Sequence, residues 1–319
     1  MIALDHPVVS SLLPVVLLIV VGLVTGKLQL IRQAAVRDLS NLVFLVLTQA
    51  LLFRTMSTVH VEQLDFQPVS LYFAVAVGLF TALLLVQGPS SRAAVLALSG
   101  TFSNTVMIGI PLIGLAYGKE ALVLLFTLIS LHALVLLTMA TVVLELLSAR
   151  EQAQAGGGAP RNRLATIGMA VRNAVVHPVP MPIIAGLLFA QTGWVLPEVV
   201  DRPLLLLGNA FGPVALVLVG VTLSQASFGR DFKGALMIAS VKTVLHPALM
   251  AAAGWAMGLR GMPLTVLVVA ASLPIGANVF LFSQRYQKAE DLVTASVAVS
   301  TLMALLTVTL VMTLVPYIA

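Results

Sequence analysis

Apolar stretches of about twenty residues, the length that crosses a bilayer as a helix, follow one another along almost the whole chain, separated by short polar or Pro/Gly-marked connections. Of the 319 residues, 60% are hydrophobic and 9% charged, whereas a soluble chain carries roughly a quarter charged residues. The core of this protein therefore faces lipid. Hydrocarbon cannot hydrogen-bond the backbone, so the spans are read as helices and the fold class as all-α membrane protein. The first stretch begins near Val8 with no basic region before it and no small-residue cleavage site after it, which reads as a retained helix. With no cysteine in the chain, disulfides, thiolate metal sites and thiol nucleophiles are excluded.

Dividing the chain at charged, Pro or Gly punctuation predicts ten spans, at about 8–26, 36–57, 69–88, 93–117, 120–148, 173–193, 203–226, 234–258, 263–285 and 291–316. The odd-numbered connections then hold Lys27, Arg32, Arg37, Arg92, Arg150, Arg161, Arg163, Arg172, Arg230, Lys233, Arg285 and Lys288, and the even-numbered ones only Arg54, Lys119, Arg202 and Arg260. This asymmetry places the odd connections in the cytoplasm and both termini outside it, in a multi-pass protein of the cell's inner membrane. It also accounts for a pI near 9.9 without a nucleic-acid partner. The longest connection, 149–172, contains Gly156, Gly157, Gly158 and Pro160 and reads as a short cytoplasmic linker between halves 1–148 and 173–319. Five spans per half oblige the second half to enter the membrane inverted, a common architecture of secondary transporters.

The fourth span of each half is interrupted. One reads Ser99-Gly100-Thr101-Phe102-Ser103-Asn104-Thr105-Val106-Met107-Ile108-Gly109-Ile110-Pro111, the other Ser272-Leu273-Pro274-Ile275-Gly276-Ala277-Asn278. Pro removes a backbone donor and Gly weakens a helix, so the backbone is expected to open near both. Open backbone at membrane depth must be buried in protein or line a cavity, and broken helices at corresponding positions of two halves point to a substrate site. Helix N-termini there offer N–H groups to an anion, and Asn104 and Asn278 both donate and accept. The plainer reading is that Pro and Gly are frequent in membrane helices and that an Asn bonds across a helix interface.

The runs Asn104…Gly109-Ile110-Pro111-Leu112, Leu273-Pro274-Ile275-Gly276-Ala277-Asn278-Val279-Phe280 and Gly208-Asn209-Ala210-Phe211-Gly212-Pro213-Val214-Ala215-Leu216, in this order, resemble the auxin efflux carrier family, which includes the plant PIN proteins and bacterial malonate-type carriers. The resemblance implies a ten-helix, five-plus-five inverted fold shared with bile-acid sodium symporters, with broken helices 4 and 9 crossing at a central anion site. It also implies outside termini. The candidate substrate contacts are thus Asn104, Thr105, Gly109, Pro111, Pro274, Gly276, Asn278, Gln49, Asn209 and Lys242. Gln49 departs from the family, which usually has proline there, so the second helix is either straighter or gains a polar contact. The short linker departs from the long cytoplasmic loop of many plant members.

Of the twelve acidic residues, eleven fall in or beside connections and Glu145 alone sits farther within a predicted span, close to its cytoplasmic end, so the carboxylate relay usual in intramembrane proton coupling is not evident. Lys242, His132 and His246 remain as ionisable groups at depth. Lys242 lies about eight residues, roughly 12 Å, into the eighth span, where it either snorkels to the interface or lies near the anion path. His132 and His246 are interface histidines or proton-coupling groups. The function read from these features is a secondary carrier of small organic anions working by alternating access, with no cofactor. The alternatives are a sodium- or proton-coupled symporter and, remotely, an intramembrane enzyme, for which no His-Glu-x-x-His, paired Asp or Gly-x-Ser-x-Gly pattern is present. The anion, the coupling ion and assembly as a homodimer stay open. From the charge asymmetry, a tag at either terminus is expected to be reached from outside and the 149–172 linker from inside; protease accessibility in oriented vesicles checks this, and a protected terminus would overturn the topology.

Overall fold

A computed structural model describes residues 7–59, 64–154, 180–224 and 231–319. The linker from residue 155 onward, the start of the sixth predicted span and Arg230 lie outside the described residues. The chain forms α1 (Pro7–Lys27), α2 (Gln33–Leu42), α3 (Thr48–Met56), α4 (Phe66–Val86), α5 (Ser91–Ser99), α6 (Ile110–Gln154), α7 (Pro180–Gln191), α8 (Glu198–Ser224), α9 (Phe232–Ser240), α10 (His246–Ala256), α11 (Gly261–Ser272), α12 (Ala277–Tyr286) and α13 (Glu290–Leu314). Single π-helical turns at Val43–Leu47, Thr105–Gly109 and Val241–Leu245 join α2 to α3, open α6 and join α9 to α10. No strand occurs among the described residues.

Among the described residues six helical stretches are long and apolar enough to cross a membrane: Ala34–Met56, Phe66–Val86, Thr105–Glu151, Glu198–Ser224, Phe232–Ala256 and Glu290–Tyr317. Shorter apolar helices cover Leu12–Lys27, Met181–Gln191 and Gly261–Ser272. The stretch through α6 is divided at Gly118, whose φ of 75° breaks the helical path. Beyond this turn α6 runs on to Gln154, past the expected end of the fifth span.

The helix starts are marked by short polar side chains that accept orphan backbone N–H groups. Asp65 accepts from Gln67 before α4, Ser90 from Ala93 before α5, and Asp231 from Gly234 before α9. Glu151, at the far end of α6, accepts from both the N–H and the hydroxyl of Ser91 at 2.7 Å, placing its charge at the positive end of α5.

The helices pack as two groups. In one, α1 lies along α8, while α3 packs on α7 and α8. In the other, α4, α5 and α9–α13 pack on one another, with α6 touching both groups. At the centre of the second group, residues 93–99 of α5 and 264–272 of α11 are buried on every face.

Without a hydrophobic drive between helices in lipid, close packing of small residues holds them together. The α1–α8 pair relies on this, since a Cβ on Gly22 would overlap the Val217 carbonyl and one on Gly220 the Ile19 carbonyl. The bidentate ion pair of Arg54 with Asp201, at 2.7 and 3.0 Å, adds a tie between α3 and α8. Gly220→Ala is accordingly expected to lower stability by about 1–3 kcal/mol through backbone displacement, whereas Gly78→Ala, on an exposed face with nothing within 4 Å, is neutral or stabilising by up to about 1 kcal/mol. Melting curves of the purified variants decide this, and equal losses would refute the packing account.

Candidate functional site

Both interrupted segments open, and they bond to each other. Past Ser99 the Gly100 N–H still reaches back to Leu96 and Ala97, but Phe102 to Asn104 run non-helically before the Thr105–Gly109 turn. Past Ser272 the chain leaves the helix at Leu273 (ψ 151°), and Pro274 to Gly276 precede α12. Where the two cross, the Asn104 N–H donates to the Pro274 carbonyl at 2.8 Å and the Gly276 N–H to the Phe102 carbonyl at 3.0 Å, an antiparallel bridge centred on Ser103 and Ile275. The Ile275 N–H donates to Ser300 Oγ at 3.1 Å, and the Tyr72 and Ser103 hydroxyls bond at 3.0 Å. Gly276 is required by the approach: a Cβ there would lie 2.8 Å from Phe102 Cδ1.

Lys242 completes this arrangement. Its side chain is fully buried, and Nζ donates to the Ala271 and Leu273 carbonyls at 2.6 and 2.7 Å. The ammonium therefore caps the broken end of α11, where carbonyls lack helical partners and the helix dipole is negative. Snorkelling to the interface is ruled out by this geometry. Among the described residues Lys242 is the single buried charged side chain, and no carboxylate is buried.

A pocket with about 40 Å3 of free volume opens at the crossing, lined among others by Asn104, Thr105, His132, Gly276, Ala277 and Asn278. Asn104 Oδ1 accepts from the Met107 N–H at 3.2 Å, so this side chain caps the resumed helix as well as facing the pocket. Gly276, the N-cap of α12, supplies no side-chain cap. The first N–H groups of α12 and the half-buried Asn278 amide, which has no protein partner among the described residues, are thus offered to the pocket.

The remaining predicted residues sort differently. Pro274 lies in an opening, but Pro111 falls seven residues past the Asn104 cap, just beyond the Thr105–Gly109 π-turn and inside the resumed helix; the first break is made by the Gly100–Asn104 segment. Gly109 is buried within the π-turn and contributes its N–H to the Asn104 carbonyl. Asn209 is exposed on α8 and away from the pocket lining, so its assignment as a contact is not supported. Gln49 reaches the site indirectly: its Nε2 donates to the Phe44 carbonyl at 2.9 Å, beside a Thr48 hydroxyl bond to Val43 at 2.7 Å. Gln49 thus adds a polar contact, and helix two carries a π-turn at Val43–Leu47 whose Phe44 lies in the pocket wall. His246 is buried behind the crossing rather than in the lining. Sequence reasoning missed Phe44, Tyr72 and Ser300, because a lone aromatic or hydroxyl in an apolar helix carries no distinguishing pattern.

Apolar helices sufficient for several membrane crossings, together with paired helix breaks around a polar pocket, define a membrane transport protein. The chain belongs to that family: residues 7–312 match the model described as "Membrane transport protein", whose members include the auxin efflux carriers. It is 28% identical over 310 residues to the "Putative malonate transporter" of Rhizobium meliloti (strain 1021), covering 95% of this chain and 94% of that one. It is 24% identical over 239 residues to auxin efflux carrier component 8 of Arabidopsis thaliana, covering 63% of this chain and 65% of that one. It is 29% identical over 112 residues to auxin efflux carrier component 1 of the same plant, covering 34% of this chain and 18% of that one.

Truncating Lys242 orphans two buried carbonyls, each costing about 1–3 kcal/mol. Lys242→Met should therefore melt markedly lower than the wild type, with Lys242→Arg intermediate because it keeps the charge but not the compact head. Melting curves of the two variants test this, and a Lys242→Met protein as stable as wild type would remove the capping role.

Proposed function

We propose that the protein is a secondary carrier of small carboxylate anions, with the crossing pocket as its substrate site. The observation that carries this reading is the α12 N-terminus, uncapped by its own residues and facing a pocket that also receives the Asn278 amide. Such N–H groups and the positive dipole end favour a carboxylate. Free volume of about 40 Å3, roughly three waters' worth, fits an anion of few heavy atoms. Malonate, named in the description of the Rhizobium relative, is of that size.

On this reading the chain has ten spans in two inverted halves, 1–148 and 173–319, joined by the 149–172 linker, in the inner membrane with both termini outside. The pocket takes Phe44 from the α1–α3, α7 and α8 group and its other walls from the crossing group and α6. Sliding the crossing past Phe44 would expose the pocket alternately to the two sides. The opened carbonyls of Ala271 and Leu273, which a sodium ion would need, are engaged by the Lys242 ammonium. This favours movement of the anion down the membrane potential, worth ~2.3 kcal/mol per charge per 100 mV, over sodium coupling.

Asn278→Ala should weaken malonate binding by about ten- to a hundredfold, the loss of one hydrogen bond to a charged group, with little change in melting temperature. Asn104→Ala should lose affinity and also about 0.5–2 kcal/mol of stability, because its helix cap goes with it. Uptake into proteoliposomes and thermal melting of the same preparations measure both; wild-type malonate uptake in both variants would place the anion path elsewhere.

A further inference from the structure

Among the described residues three buried imidazole nitrogens have no hydrogen-bond partner: Nε2 of His132 and both ring nitrogens of His246. The two rings flank Tyr72, with centroids 6.0 and 5.6 Å from its own, and His132 also packs on Phe102 at 4.3 Å. Buried polar atoms are nearly always partnered by protein or water, so a histidine with an open nitrogen beside a polar pocket marks a place where something binds. Of the two histidines, His132 lines the pocket.

The groups facing His132 define its electrostatic surroundings. Tyr72 comes from α4, His246 from α10 and Lys242 from the turn between α9 and α10. The crossing segment presents Phe102, Ser103 and Asn104, and α12 presents Asn278, none of which ionises near neutral pH. No carboxylate among the described residues is buried. The broken helix ends oppose one another in sign, and among the described residues Lys242 is the one buried charged side chain beside them. A monoanion in the pocket balances that charge. A dianion leaves one negative charge uncompensated in a medium of low dielectric, which is strongly unfavourable, and His132 is the titratable residue that touches the pocket.

We propose that His132 takes up one proton whenever a dicarboxylate occupies the crossing pocket, so that a dianion crosses with one proton and a monoanion with none. This inference rests on the carrier reading above. The proton bonds to an open imidazole nitrogen on entry and returns to water on release; no bond of the substrate is made or broken.

The test is flux into proteoliposomes holding a pH-sensitive dye, at pH 7.5, with malonate and its monomethyl ester as matched dianionic and monoanionic probes. Wild-type malonate uptake is expected to acidify the lumen by about one proton per anion and ester uptake to leave it unchanged, as the charge balance requires. In His132→Gln the ratio of malonate to ester flux should fall at least about tenfold, the scale of one lost interaction with a charged group, and the proton movement should cease. His132→Asn, a shorter amide, serves as a second variant and should behave alike. Malonate moving without protons in the wild type, or with an unchanged proton count in either variant, would overturn the inference while leaving the carrier reading intact. Wild-type protein that moves neither anion would overturn both together.

Discussion

Two backbone segments that leave helical geometry at membrane depth must find their hydrogen bonds within the protein, because lipid supplies none. Here each segment supplies the other. Asn104 and Gly276 donate across the crossing, Ser300 takes the N–H of Ile275, and Lys242 takes the carbonyls of Ala271 and Leu273. The surrounding packing follows from this requirement: residues 93–99 of α5 and 264–272 of α11 are buried on all sides, which shields their opened ends, and α4, α10 and α13 supply the side chains that approach the crossing.

The same economy of polar groups sets the electrostatic character of the site. A buried ammonium with no acidic partner is tolerated because two carbonyls and a helix C-terminus solvate it. Placed a few residues from the pocket, it biases the centre of the molecule toward negatively charged ligands. A carboxylate in its neighbourhood would have cancelled that bias, and among the described residues none is buried.

Much of this was legible along the chain. Apolar runs of bilayer length, the Pro274/Gly276 and Gly100/Asn104 interruptions, and the place of Asn104 and Asn278 beside them each follow from local chemistry, because helix breaking and side-chain capping act over a few residues. At other positions the role depends on structure beyond the local run. Pro111 looked like a breaker but lies inside the resumed helix, just past the Thr105–Gly109 π-turn, and this depends on where the helix restarts. Asn209 sits in a family-like run yet is exposed on α8 and outside the pocket lining. Gln49 acts through the carbonyl of Phe44, five residues back, because a π-turn changes which groups are neighbours.

Composition and local pattern by themselves determined a helical membrane protein with two weak points at its centre, since lipid admits few other solutions for such a sequence. Which atoms meet at those weak points was decided by the tertiary structure alone. Lys242 and its acceptors are separated by 29 and 31 residues, Tyr72 and Ser103 by 31, and no periodicity links them. A buried polar group is stable with any partner that satisfies it, so the sequence required partners for these groups, and the packing of α4, α9–α13 and the crossing chose them.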